Sequence, residues 1–94
     1  NLPTAPVLAV EVLSPSTRRI DLLLKRDRLQ SAGCPHYWVV DPLEPRVIAW
    51  ALRDGVYAEV ADVAGDDVLD LGEPFAVRLR PSALTRFKGA DEPP

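Results

Sequence analysis

Val7-Leu8-Ala9-Val10-Glu11-Val12-Leu13 is a run of aliphatic residues interrupted by a single charge. β-Branched and aliphatic side chains without polar alternation mark a strand covered on both faces. The run stops at Ser14-Pro15-Ser16-Thr17, and a stretch rich in Leu and Arg follows. From Arg18 to Ala32 there is no Gly or Pro, so the pattern predicts one main helix, with Ser16 or Thr17 as N-cap. Gly33 is the expected C′ residue, and Pro35 prevents continuation. A strand, a short loop and a helix are the first half of a right-handed crossover onto a parallel partner strand.

That partner is His36 to Val40, centred on Tyr37-Trp38-Val39-Val40 and closed by Asp41-Pro42. Arg46 to Leu52 reads as a third strand. Arg53-Asp54-Gly55 is a hairpin turn, because Asp-Gly supplies positive φ angles, and Val56 to Val60 returns as the antiparallel partner. The acidic segment from Ala61 to Leu71 carries one weak edge strand. Phe75-Ala76-Val77-Arg78-Leu79 alternates like a half-exposed strand, and a helical turn or two is expected over Pro81 to Phe87. Later strands are expected to extend the first sheet in antiparallel fashion. The fold class is α/β, a mixed sheet with one main helix. Residues 5–88 form the ordered region and residues 89–94 a flexible tail. A chain that opens without Met and enters its best strand almost at once reads as a piece of a longer protein, with upstream strands missing.

The 94 residues suffice for one small domain, and 47% of them are hydrophobic, enough for a core. No apolar run is long enough to cross a bilayer, and no secretory signal opens the chain. Cys34 is the single cysteine, which excludes an internal disulfide and fits a reduced, cytoplasmic setting. The single His36 excludes any triad needing a second imidazole. The net charge of −3 is a poor global match to nucleic acid. Its distribution is more informative. Arg18, Arg19, Lys25, Arg26 and Arg28 crowd one segment, while Asp62, Asp66, Asp67, Asp70 and Glu73 gather later. A local basic face therefore sits on an acidic body.

Chemistry concentrates on Glu11 and the helix after it. A carboxylate in a buried strand must be paired, protonated or bound to a metal, since an isolated buried charge costs too much. A structural ion pair with Arg18 or Arg19 is one reading and a metal ligand the other. Leu22, Lys25, Leu29 and Ala32 fall on one helical stripe, placing Lys25 on or beside the apolar face. Lys25 and Lys88 are the only lysines in a chain that otherwise uses Arg. A compact ammonium at such a position can orient a water or stabilise charge on a phosphate, or it can snorkel with its stem over Leu22. Asp21 offers Lys25 an i,i+4 pair. Arg18 and Arg19 at the helix start oppose the macrodipole, which points to an anion there. Tyr37 and Trp38 are expected to pack against the helix, and Trp50 and Tyr57 against each other across the hairpin.

The stretch Leu8-Ala9-Val10-Glu11-Val12-Leu13-Ser14-Pro15-Ser16-Thr17-Arg18-Arg19 resembles the bacterial Uma-type restriction endonuclease-like family. The same holds for Asp21, Lys25-Arg26 and Ala32-Gly33-Cys34-Pro35-His36-Tyr37-Trp38-Val39-Val40-Asp41-Pro42. That family belongs to the PD-(D/E)XK nuclease superfamily. The resemblance implies a restriction-endonuclease-like core, here the C-terminal part without its N-terminal strands. It implies a Mg²⁺-dependent (or Mn²⁺-dependent) DNA endonuclease with Glu11 as metal-binding acid and Lys25 near the attacking water. Arg18, Arg19 and Arg26 would then contact DNA phosphates. The position two residues after Glu11, where the superfamily usually has Lys, is Leu13, and in this family the helix that follows supplies the Lys, here Lys25. Two departures stand out: the family commonly carries Asp where this chain has Val7, and the superfamily's other metal-binding Asp lies on a preceding strand that this sequence does not contain, so one of the two expected acids is absent. The alternative is a catalytically inactive nuclease-like module kept for binding or for homodimerisation.

Overall fold

The computed structural model describes residues 6–14 and 22–84. The elements are β1 (Leu8–Val12), α1 (Leu22–Ser31), β2 (His36–Asp41), β3 (Arg46–Arg53), β4 (Val56–Ala64), β5 (Leu69–Leu71) and β6 (Val77–Leu79). Four strands form a mixed sheet in the order β1-β2-β3-β4. β1 and β2 run parallel, with Ala9 opposite Tyr37 and Glu11 opposite Val39. The other two pairings are antiparallel. The crossover expected from the sequence is therefore present, with α1 as its helix.

The turns follow from local chemistry. At the end of α1, Gly33 has φ 80°. Its N–H donates to the Gln30 carbonyl at 3.0 Å, and the Cys34 N–H donates to the Leu29 carbonyl at 3.0 Å. This is a Schellman closure, which only a residue tolerant of the left-handed region makes without strain. Asp54 and Gly55 both have positive φ, 54° and 81°, so the β3–β4 hairpin turns in the I′ geometry that matches strand twist. The first four residues of the expected helix, from Arg18 on, lie outside the described residues, as do Phe87 and the tail.

The two faces of the sheet are covered differently. Under α1, Leu13, Tyr37 and Val39 form a buried cluster, with Ala9, Leu22, Leu29, Trp50 and Tyr57 packed against it. On the opposite face Trp38 meets Phe75 at a ring separation of 5.9 Å. Val47, Ala49, Ala51 and Leu69 are also buried.

Several expectations need correction. β1 is not covered on both faces among the described residues: Val10 and Val12 remain 48% and 57% exposed. The helix shields only the side bearing Ala9 and Leu13, and β1 is the outermost strand of the described sheet. The later strands do not all extend that sheet, because β5 and β6 pair with each other in a separate two-stranded sheet. Gly65, at φ 62°, reverses the chain after β4, and Leu69 then becomes only 1% exposed. The first part of the acidic segment, to Ala64, belongs to β4 itself. A register shift at Ala49/Trp50 lets the ladder continue past an irregular pair. Finally, Trp38 does not face the helix with Tyr37. Successive residues of a strand point to opposite sides.

Candidate functional site

Glu11 shares the helix-facing side of β1 with Ala9 and Leu13. Lys25 lies in the first turns of the described part of α1, one turn beyond Leu22, which packs on the same core. The crossover thus brings together two residues far apart in sequence. Lys25 Nζ donates to Glu11 Oε1 at 2.6 Å. The side chains are 45% and 23% exposed respectively, so the pair sits at the rim of the helix–sheet interface rather than in its centre. Charge-assisted hydrogen bonds are short and stronger than neutral ones. Among the described residues the partner of Glu11 is Lys25. Arg18 and Arg19, the other candidates, lie outside the described residues, as does Asp21.

Arg26 is held differently from a free surface cation. Its Cζ stands 5.6 Å from the centroid of the Trp50 ring, within cation–π range. Trp50 stacks on Tyr37 at 5.4 Å, and Tyr37 is 6.0 Å from Tyr57 in a second stacked contact. Tyr57 is fixed at both ends: its hydroxyl donates to the Cys34 carbonyl at 2.8 Å, and its N–H donates to Gln30 Oε1 at 2.8 Å. Burial pushes the Tyr57 hydroxyl above its ordinary range, with the Cys34 contact adding to the effect. The aromatic row therefore ties α1 to β2, β3 and β4.

Tyr37 is the residue whose importance composition and spacing did not reveal. It is 1% exposed, and its buried hydroxyl has no hydrogen-bond partner among the described residues. Its pKa is raised, first by burial and then by the Glu11 carboxylate, while Arg26 acts in the opposite sense. The hydroxyl therefore lies in the field of both charges. In the sequence a Tyr beside a Trp in a strand reads as packing, and no local signal marks an unsatisfied hydroxyl.

A cleft of about 190 Å³ is lined by Leu13, Leu22, Val39 and Ile48 together with Asp41, Glu44 and Arg46. Asp41 Oδ1 accepts from the Leu43 and Glu44 N–H groups at 3.0 and 3.3 Å, the strand-ending turn expected of Asp before Pro. Arg46 is committed to Asp62 through two bonds of 2.7 and 2.6 Å. Cys34 is fully buried and donates to the His36 carbonyl at 3.2 Å.

A divalent cation needs several hard oxygen ligands. Among the described residues no three His, Cys, Asp or Glu side chains come together as a candidate set. Glu11 fits as one such ligand and no more. No helix among the described residues is long and apolar enough to cross a membrane.

Comparison with known proteins gives the wider setting. No curated protein matches the chain. Among solved structures it resembles one described as a putative nuclease belonging to DUF820, from Anabaena variabilis, with a TM-score of 0.69 at 19% identity. The match covers 90% of this chain but 46% of that one, so the chain spans less than half the neighbour's length. At that identity the likeness shows the fold, a nuclease-like mixed α/β sheet. The model of the Uma2 family, described as putative restriction endonuclease, matches residues 1–84, and the chain belongs to that family.

Proposed function

We propose that this chain is the C-terminal part of a metal-dependent endonuclease that hydrolyses DNA phosphodiester bonds. The observation that carries the reading is the 2.6 Å contact between Lys25 Nζ and Glu11 Oε1. A carboxylate and an ammonium held this close suit a shared scissile phosphate, and the likeness of the fold to that of a putative nuclease supports the same reading. Glu11 would hold Mg²⁺ or Mn²⁺ as one ligand among several. A cation held there would supply Lewis-acid polarisation of the phosphate and a more acidic water. Lys25 donates to the phosphate oxygens where negative charge builds, a role for a compact donor at a partly dehydrated site. Arg26, steadied by Trp50, keeps its N–H edge for a backbone phosphate, and Arg18 and Arg19, outside the described residues, are further phosphate contacts on this reading. The acidic body makes such binding weak and salt-sensitive. A buried free Cys34 suits a reduced bacterial cytoplasm.

A second reading, a nuclease-like module that binds or dimerises without cutting, draws support from the lack of a three-ligand cluster among the described residues. One experiment separates them. Supercoiled plasmid is incubated with the full-length protein, with Mg²⁺ or Mn²⁺ and with EDTA, and cation binding is followed in parallel by calorimetry. Metal-dependent nicking supports the enzyme. A protein that neither binds the cation nor nicks DNA supports the module.

A further inference from the structure

A buried hydroxyl without a partner is costly, because it has given up water and gained nothing. The Tyr37 hydroxyl is in that position among the described residues. Its own surroundings narrow what completes it. The ring is clamped between Trp50 and Tyr57, so it does not swing out. The hydroxyl oxygen is sealed from solvent, leaving no room for a bulk water. The partner must be a protein group that moves a short way. Glu11 stands on the helix-facing side of the neighbouring strand, two residues along from Ala9, the register partner of Tyr37, and the charges of Glu11 and Arg26 both act on the hydroxyl. Arg26 lies over the Trp50 ring. Glu11 has one carboxylate oxygen engaged by Lys25, and no described residue donates to Oε2. A raised pKa keeps Tyr37 protonated and hence a donor.

We propose that Tyr37 is a positioning residue, the second hydrogen-bond donor to Glu11. Its hydroxyl takes hold of the carboxylate when Lys25 turns to another anion. In the resting state Lys25 holds Glu11 and Tyr37 waits. When Lys25 moves to a phosphate, Glu11 would otherwise stand as a half-buried carboxylate without a donor, and a small rotation toward Tyr37 supplies one. A group that orients a metal-binding carboxylate in this way typically changes metal affinity or activity by about 10–100-fold when removed. The catalytic use of this device rests on the nuclease reading above, but the exchange of donors does not.

The test is a set of variants measured without metal: Tyr37→Phe, Lys25→Met and the double variant, followed by thermal and urea unfolding. In the wild-type background, Tyr37→Phe is expected to leave stability unchanged or to raise it, since a desolvated hydroxyl disappears. In the Lys25→Met background, where Glu11 has turned to Tyr37, the same change lowers the folding equilibrium constant about tenfold, the scale of a hydrogen bond to a charged group. Equal effects of Tyr37→Phe in both backgrounds overturn the proposal. So does a tenfold loss in the wild-type background, which means the hydroxyl is already bonded at rest. A Mn²⁺ titration of Tyr37→Phe against wild type then reads the functional arm, with weaker binding expected. Failure of the wild type to bind Mn²⁺ or cut DNA overturns the nuclease reading alone, and the unfolding cycle still decides the role of Tyr37.

Discussion

Removing the ammonium from the Glu11–Lys25 pair separates a structural ion pair from a working one. The perturbation is Lys25→Met, with Glu11→Gln and the double variant to close a thermodynamic cycle. Two unit charges about 4 Å apart attract by ~1 kcal/mol in water and by ~4 kcal/mol at the effective dielectric of a protein surface. The pair here is closer, 2.6 Å, but its members are 45% and 23% exposed. Solvent screening and the entropy of fixing a Lys side chain bring the expected coupling down to about 1 kcal/mol. For a domain of this size that corresponds to a melting temperature about 4–8 °C lower. Catalytic loss should be far larger than this: removing one donor that stabilises transition-state charge costs about 10²–10³ in rate. Urea unfolding followed by the fluorescence of Trp38 and Trp50 gives the first quantity, and initial rates of plasmid nicking with Mg²⁺ give the second. Cutting by Lys25→Met and Glu11→Gln at the wild-type rate refutes a working role for the pair. A coupling above about 3 kcal/mol with unchanged activity refutes it equally, since the pair then behaves as a buried structural bridge.

Two further outcomes test the fold around the site. Arg46 holds the Asp62 carboxyl below its ordinary value of 3.8 through their hydrogen bonds, so the folded state binds its proton less readily than the unfolded chain. The stabilisation is therefore complete above the unfolded value and fades as pH falls through the folded one. Asp62→Asn should cost at most about 1 kcal/mol near neutrality, because the pair is exposed. Its deficit relative to wild type should shrink below about pH 4, as read by urea unfolding across the acid range. Gly33→Ala forces a Cβ into the left-handed region at φ 80°, where nothing crowds the site, so backbone strain alone should cost about 1 kcal/mol. An unchanged unfolding midpoint would mean that the helix end is not held in the Schellman closure.

Strand and helix positions were legible because their causes are local. The aliphatic run at Val7 to Leu13, the Leu- and Arg-rich segment ending at Gly33, and the Asp54-Gly55 turn each carry their own instruction in propensity and φ preference. The placement of Lys25 beside the apolar stripe was readable for the same reason, since helical periodicity needs no distant partner. The full length of β4 was not readable, because a bulge at Ala49/Trp50 depends on how two strands meet. Nor was the second sheet, because Leu69 becomes core only after Gly65 has carried the chain back over the far face.

The candidate site divides along the same line. The residue types, a lone carboxylate in an aliphatic strand and a rare lysine on the following helix, are properties of the chain. Their meeting at 2.6 Å, the exposed outer face of β1 and the unpartnered hydroxyl of Tyr37 arise only in three dimensions. A sequence records what each side chain is able to do. Which groups lose water together, and which are left without a partner, depends on how helix and sheet close over one another.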